Sequence, residues 1–229
     1  MRKILILFVT VFLFFASGAI GQTSIKEATA LVKKGKFAAS NRDFNTADIY
    51  YTKAIGLDSK NLEAFQERAI LYHRTNKFSE AIADCTKAIE LDSKAIYPYY
   101  IRGDSYLSLK KYPEAIADLT INLERDRRNE PAYYGRACAY IHLKKYAEAI
   151  DDCTKGLETY DNSARCFLAR GMSYHAIGKY REAITDCTRT IEINPKMSLA
   201  YLFRSTAYKA LGQDKAAAAD TDIYNYLSK

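Results

Sequence analysis

The chain has 229 residues, of which 48% are hydrophobic and 27% are charged, and its formal net charge is +7. This balance is typical of a folded globular protein and excludes wholesale disorder. With only 10 Gly and 4 Pro against 19 Tyr and 10 Phe, the composition favours packed helices over a β-sandwich. The basic residues are spread along the chain without a dense cluster, which argues against nucleic-acid binding and leaves weak attraction to a membrane surface open.

The N-terminal segment, residues 1–21, predicts a secretory signal peptide of bacterial type. Arg2 and Lys3 precede an apolar run over residues 4–15, and small residues follow this run. That order is typical of a signal peptide, so we expect an exported protein, either periplasmic or secreted, with residues 22–27 as a short linker. The alternative is an uncleaved segment that anchors the protein in a membrane, because about 20 apolar residues can span a bilayer.

From residue 28 to the end, the sequence repeats every 34 residues. Numbering each unit from 1 gives unit starts at residues 28, 62, 96, 130, 164 and 198. Position 11 is Tyr in units two to six, position 4 is always large and apolar, and position 8 is always small. Position 20 is an alanine in every unit: Ala47, Ala81, Ala115, Ala149, Ala183 and Ala217.

Within each unit, apolar and small residues follow helical steps of three and four, first over positions 4–11 and then over positions 20–28. The pattern predicts two antiparallel helices with a tight turn between them. Such a unit resembles the tetratricopeptide repeat. The resemblance covers residues 28–229 and implies an all-α fold, a right-handed α-solenoid of six helix–turn–helix units. It also implies a scaffold or adaptor that binds another protein, with no enzymatic activity and no cofactor.

Position 7 is Arg and position 23 is Asp in units two to six. These positions lie level across the predicted hairpin, so we predict structural ion pairs between them. The alternative is that the arginines bind an anionic ligand, which is disfavoured because five acids already neutralise them. The predicted pairs are Arg68 with Asp84, Arg102 with Asp118, Arg136 with Asp152, Arg170 with Asp186 and Arg204 with Asp220.

In proteins of this family the first helix of each pair lines a concave groove, and positions 2, 5, 6, 9, 12 and 13 usually face the ligand. The resemblance therefore implies a groove that binds a peptide or helix segment of a partner protein. Most residues at these positions are apolar or aromatic here, which suits an apolar anchor on the partner. The alternative is that some of them pack between neighbouring units. The predicted groove residues are Tyr97, Tyr100, Ile101, Leu107, Tyr134, Ile141, His142, Leu168, Met172, His175, Leu202 and Phe203.

A second possible function is a metal-binding or enzymatic site. Cys138 and His142 are four residues apart, hence on one helix face, and His175 comes from the next unit. These side chains could bind a metal, or the thiol and imidazole could form a nucleophile–base pair. The sequence has no short-spaced metal motif, phosphate loop or nucleophile elbow, so we predict neither a catalytic nor a metal site.

A third possible function is that of a self-associating structural component of an envelope complex. The last predicted helix carries Ile223 and Tyr226 and has no later helix to cover it, so a homo-oligomer could form there. Separately, Cys138 and Cys166 could form a disulfide in an oxidising compartment. The sequence leaves both questions open.

Overall fold

A computed structural model describes residues 22–229, and the predicted signal peptide lies outside the described residues. All regular elements in the described range are helices. None of these helices combines the length and apolarity needed to cross a bilayer. In chain order they are α1 over 22–40, α2 (Phe44–Leu57), α3 (Leu62–Arg74), α4 (Phe78–Leu91), α5 (Tyr97–Ser108), α6 (Tyr112–Arg125), α7 (Glu130–His142), α8 (Tyr146–Thr159), α9 (Ala164–Ala176), α10 (Tyr180–Ile193), α11 (Ser198–Ala210) and α12 (Asp214–Leu227).

The helices follow the repeat in strict register. In every pair the second helix begins at position 17 and ends at position 30. The first helix of each pair, from α3 onward, begins at position 1 or 2. Polar residues fix several of these starts, since the side chains of Asn61, Asn129 and Ser163 accept hydrogen bonds from backbone N–H groups in the first turn that follows. The predicted fold class, an all-α solenoid of helix–turn–helix units, is confirmed.

Residues 22–27, predicted as a short linker, are helical and continue into α1. No Gly or Pro interrupts the sequence here, and Thr29 Oγ1 donates to the carbonyl oxygen of Ile25 at 3.0 Å, one helical turn earlier. The first repeat therefore begins inside a helix that extends beyond the 34-residue pattern.

The turn inside each hairpin has the same backbone conformation. The N–H of position 16 donates to the carbonyl of position 11, as in the turns at Lys145 and Lys179. Position 15 adopts the left-handed conformation that glycine favours. Only two of the six residues at this position are glycine, and the set is Arg42, Asn76, Lys110, Lys144, Gly178 and Gly212.

The described chain divides into two compact units, one that ends at Ser105 and one that begins at Tyr106. In the first unit the core centres on Tyr51, and a Cβ at Gly35 would lie 2.4 Å from Tyr51 Cε1, so only glycine fits there. In the second unit each helix from α6 to α12 packs against the next one along the chain. Small buried residues at positions 20 and 24, such as Ala149 and Cys153, allow this close approach.

Candidate functional site

The first helices of three repeats form one face in the second compact unit, because α9 packs against both α7 and α11. This face contains a depression with a volume of about 190 Å³. That volume is close to the ~150 Å³ of an engineered apolar cavity that binds benzene, so one aromatic or branched side chain would fill it. The lining residues are Tyr134, Cys138, Ile141, His142, Arg165, Leu168, Ala169, Met172 and Leu199.

The lining of the depression is mostly apolar, and Tyr134 and Arg165 are among its polar side chains. Burial raises the pKa of Tyr134, so its phenol stays neutral. Arg165, whose side chain is 52% exposed, lies over the Tyr134 ring with 5.1 Å between the guanidinium carbon and the ring centroid. Its Nη2 donates to Glu130 Oε2 at 3.2 Å. The site therefore contains a half-exposed cation that is held by a ring and a carboxylate.

Five of the twelve predicted groove residues lie together in this depression. They come from α7 and α9, and all of them occupy positions 5, 9, 12 or 13 of their units: Tyr134, Ile141, His142, Leu168 and Met172. Cys138, Ala169 and Leu199 complete the apolar lining from positions 9, 6 and 2 of their units. The structure thus brings residues of three successive repeats into one apolar site.

Three further predicted residues lie on α9 and α11 outside this lining. The His175 ring packs edge-on against Tyr180 and Phe203, with centroids 5.4 and 5.5 Å apart, and burial lowers the pKa of His175. Phe203 is partly buried against Leu168 and Cys187. Leu202 is also partly buried.

The remaining predicted groove residues lie on α5. Tyr97 is half exposed and its ring lies 6.1 Å from that of Tyr100. Ile101, predicted to line the groove, is instead buried with Ala69 and partly buried Tyr100 packed beside it, because its helix turns that position towards the preceding repeat. Leu107 belongs to the second compact unit and is partly buried.

In the first compact unit, the corresponding helix faces are charged. Lys36 Nζ lies 3.0 Å from Glu63 Oε1 and 3.1 Å from Glu67 Oε1. The hydrogen bonds that Lys36 donates to these carboxylates raise its pKa to about 12. These three residues occupy positions 9, 2 and 6 of their units, where the second compact unit has mostly apolar residues.

The alternative metal site is not formed in the described part of the chain. No three His, Cys, Asp or Glu side chains there are grouped as the ligands of one ion would be. Cys138 and His142 share the depression, but the His142 ring stacks on Tyr112, with centroids 4.6 Å apart and planes 10° apart. His175 packs against other rings, as described above, so the three predicted side chains do not converge.

Four of the five predicted ion pairs join helices of one hairpin by two parallel hydrogen bonds. The carboxylates are between 2% and 6% exposed, and the Asp186 hydrogen bonds raise the pKa of Arg170. Of the fifth predicted pair, Arg102 belongs to the first compact unit and Asp118 belongs to the second. The Nε–Oδ2 distances are 2.7 Å for Arg68–Asp84, 2.8 Å for Arg136–Asp152, 2.8 Å for Arg170–Asp186 and 2.7 Å for Arg204–Asp220.

Each of the five arginines also donates through Nη1 to a threonine of the preceding repeat, a contact that the sequence analysis missed. The threonine is at position 25, and it recurs every 34 residues in units one to five, which is the signal that could have revealed it. The Nη1–Oγ1 distances lie between 2.9 and 3.1 Å, and the acceptors are Thr52, Thr86, Thr120, Thr154 and Thr188. The arginines therefore join neighbouring repeats as well as the two helices of one hairpin.

The five cysteines are present as thiols. Burial raises the pKa of Cys187 to about 12. The structure places Cys166 in one buried cluster with Cys153, whereas Cys138 was the partner considered from the sequence. On α12, Ile223 is 40% and Tyr226 is 79% exposed; self-association through this helix stays a prediction.

The chain belongs to the tetratricopeptide repeat family. Models of the tetratricopeptide repeat match residues 28–61, 62–94, 131–163 and 164–197, which together make up more than half of the chain. Each match begins at, or one residue from, a unit start predicted from the 34-residue spacing.

Solved structures with the same fold agree with this assignment. A tetratricopeptide repeat protein from Parabacteroides merdae is 24% identical with a TM-score of 0.72, and the alignment covers 86% of this chain and 78% of that chain. YrrB, described as a TPR protein with an unusual peptide-binding site, is 23% identical with a TM-score of 0.66 over 77% of this chain and 91% of that chain.

The pilF protein of Pseudomonas aeruginosa is 16% identical, with a TM-score of 0.73 over 86% of this chain and 90% of that chain. At these identities the similarity shows the fold alone. No curated protein sequence matches this chain.

Proposed function

We propose that the protein is a non-enzymatic scaffold that binds a peptide or helix segment of another protein on the face formed by α7, α9 and α11. The observation that carries this proposal is the apolar depression that three successive repeats build together. The peptide-binding site named for the structurally similar YrrB supports the same reading by analogy.

The mechanism is burial of one apolar side chain of the partner. The depression is lined by Ile141, Leu168 and Met172, and its volume of about 190 Å³ suits one such side chain. Transfer of an apolar side chain from water into such a site stabilises a complex by roughly 1.5–3 kcal/mol. Neighbouring exposed positions on α9 and α11 would then contact the flanking residues of the partner.

The test is selection of peptides from a random displayed library on the folded chain, followed by affinity measurement with a Leu199→Glu variant. Leu199 lines the depression and is 45% exposed, so the substitution places a charge in the site without disturbing buried packing. We expect the selected peptides to contain an apolar residue and to bind the variant at least about tenfold more weakly, since apolar anchors dominate such interfaces.

Leu57→Glu is the matched control, because Leu57 is 39% exposed and is not among the residues that line the depression. This variant should bind as the unmodified chain does. Peptides whose affinity is the same for all three proteins, with helix content unchanged by circular dichroism, would exclude the proposed face.

We also propose that the protein is exported. The basic start, the apolar run and the small residues within 1–21 support this. The measurement is the mass of the N-terminal peptide of the protein recovered from the cell envelope and the medium. Cleavage before residue 22 is expected, and recovery of the intact N-terminus would support the membrane-anchored alternative instead.

A further inference from the structure

Two thiols are brought together where unit four meets unit five. Cys153 lies on α8 and Cys166 lies on α9, and both are 0% exposed. Both belong to a buried cluster that also contains Ala149 and Ala169, and the Cys166 side chain lies close enough to raise the pKa of Cys153. The two sulfur atoms are therefore neighbours in the reduced protein.

A polar network holds Cys166 in this position. Its Sγ lies 3.1 Å from Glu130 Oε1, and its backbone N–H donates to Ser163 Oγ at 3.2 Å. Ser163 donates to the same carboxylate oxygen, and Arg165 donates to the other one. Because the carboxylate is fixed by these bonds, the Cys166 side chain has few other positions available.

The repeat itself provides an internal comparison. Position 24 is Cys in units two, four and five, and at the junction of units five and six Cys187 packs in one cluster with Ala200, which is position 3 of unit six. Across the six units, position 3 is Ala or Pro except in unit five, where it is Cys166. The junction of units four and five is therefore the one at which both positions are cysteine, Cys153 at position 24 and Cys166 at position 3.

We infer that Cys153 and Cys166 form a disulfide in an oxidising compartment and so link α8 covalently to α9. Glutathione disulfide is the oxidant. One cysteine thiolate attacks a sulfur of glutathione disulfide, breaks its S–S bond and releases one glutathione thiolate. The second cysteine thiolate attacks the mixed disulfide and releases the other glutathione thiolate. The two cysteine protons end on the two released thiolates, so two thiols are oxidised while one disulfide is reduced.

The buried location decides when this bond forms. The neighbouring Cys166 side chain and burial raise the pKa of Cys153, which leaves little of the reactive thiolate in the folded protein. Oxidation is therefore slow in the native chain and faster while α8 and α9 are still assembling. The finished bond is shielded from solvent and resists reductants.

The bond would also restrain the binding face. Ala169 belongs both to the thiol cluster and to the lining of the depression, and α9 also contributes Leu168 and Met172 to that lining. A link between α8 and α9 fixes the helix that carries almost half of the site. The chemistry does not depend on the proposed peptide binding, although its physiological setting rests on the proposed export.

The test is peptide mapping of the full chain after oxidation. The reduced protein is unfolded in urea and diluted into a buffer of reduced and oxidised glutathione, and the chain is then unfolded again so that iodoacetamide blocks all remaining thiols. We expect a linked peptide pair that contains Cys153 and Cys166, two hydrogen masses below the sum of its parts. The oxidised protein should also unfold at a higher urea concentration than a Cys166→Ala variant treated in the same way.

A second arm incubates the folded protein in the same buffer with a low, non-denaturing urea concentration, and we expect the same link to form more slowly. Finding Cys153 and Cys166 alkylated in both arms would overturn the inference, and so would a link from Cys166 to Cys138. The matched control is Cys187, which should remain alkylated in the unmodified chain. In an Ala200→Cys variant, Cys187 should become linked to the introduced thiol, because the repeat places position 3 beside position 24.

Discussion

Arg170 binds Asp186 by two parallel hydrogen bonds, 2.8 Å from Nε to Oδ2 and 2.9 Å from Nη2 to Oδ1. The third donor of the same guanidinium, Nη1, lies 3.1 Å from Thr154 Oγ1 of the preceding repeat. One side chain on α9 therefore holds α10 of its own hairpin and α8 of the neighbouring one. The geometry recurs along the chain, so these arginines stabilise the stacking of repeats as well as single hairpins.

We expect Arg170→Ala to lower the free energy of unfolding by about 3–5 kcal/mol, because the carboxylate of Asp186 would remain buried without its cation. The measurement is urea denaturation followed by circular dichroism. The control is Arg189→Ala, which removes an exposed pair with Glu192 on α10 and should cost less than about 1 kcal/mol. Equal losses of unfolding free energy in the two variants would show that the buried pair stabilises the protein no more than the exposed pair does.

The 34-residue period made the helices and the hairpin ion pairs predictable, because each depends on the register within one unit. The Thr154 contact was missed because it joins two units, whereas the ion pairs were predicted from positions that face each other within one hairpin. Position 6 shows the same limit, since Ile101 there packs against Ala69 and Cys85 of the preceding repeat, whereas Ala169, which is also buried, lines the depression.

The location of the site was only partly predictable for a related reason. The family pattern marks the same positions in every repeat, but the chemistry differs between them. In the first compact unit Lys36 pairs with Glu63 and Glu67 on the corresponding face, while Tyr134 and Met172 help to form an apolar depression in the second. Which repeats form a site depends on how neighbouring side chains pack, and this cannot be derived from position numbers.

We expect Lys144→Gly to stabilise the protein. Lys144 is an exposed residue with φ of 60°, a conformation that costs a residue with a Cβ roughly 1–2 kcal/mol. Glycine removes this cost but is more flexible in the unfolded chain, so we expect a net gain of about 1 kcal/mol or less. Urea denaturation measures the change.

Two variants serve as controls for the turn. Lys145→Gly changes the next residue, whose φ of −89° suits any side chain, and should destabilise the protein slightly. Gly178→Ala forces a Cβ into the left-handed conformation, where no neighbouring atom lies within 4 Å, so any loss reflects backbone strain alone. A gain in stability from Gly178→Ala would contradict the explanation that the left-handed conformation disfavours a residue with a Cβ.

We expect the stability of the protein to depend on the titration of His175. Burial lowers the pKa of His175 in the folded state, so the folded protein binds this proton less readily than the unfolded chain, whose histidine pKa is about 6.5. Its contribution to stability is therefore present above pH ~6.5 and is lost as the pH falls through the lower folded-state pKa.

The measurement is the free energy of unfolding from pH 8 to pH 5, for the unmodified chain and for His175→Phe. Phe keeps the ring contacts with Tyr180 and Phe203 but cannot be protonated. The difference between the two curves should be constant above pH 7 and should shift in favour of the variant on acidification. Parallel curves over the whole range would show that His175 does not couple folding to pH.

The thiols should differ sharply in reactivity in the folded protein. Cys187 is 0% exposed, and burial raises its pKa to about 12, so almost no thiolate is available at pH 8. Cys138 is partly exposed and lines the depression. We expect iodoacetamide to modify Cys138 first and to reach Cys187 only when the chain unfolds, as measured by mass spectrometry of timed samples.

The modification of Cys138 also reports on the binding face. The added acetamide group would occupy part of a depression of about 190 Å³, so peptides selected on the unmodified protein should bind the alkylated protein more weakly. Cys138→Ala is the control, because it should bind these peptides and should be insensitive to iodoacetamide. If alkylation at Cys138 leaves peptide affinity unchanged, the peptides do not use the depression, whichever residue they contact instead.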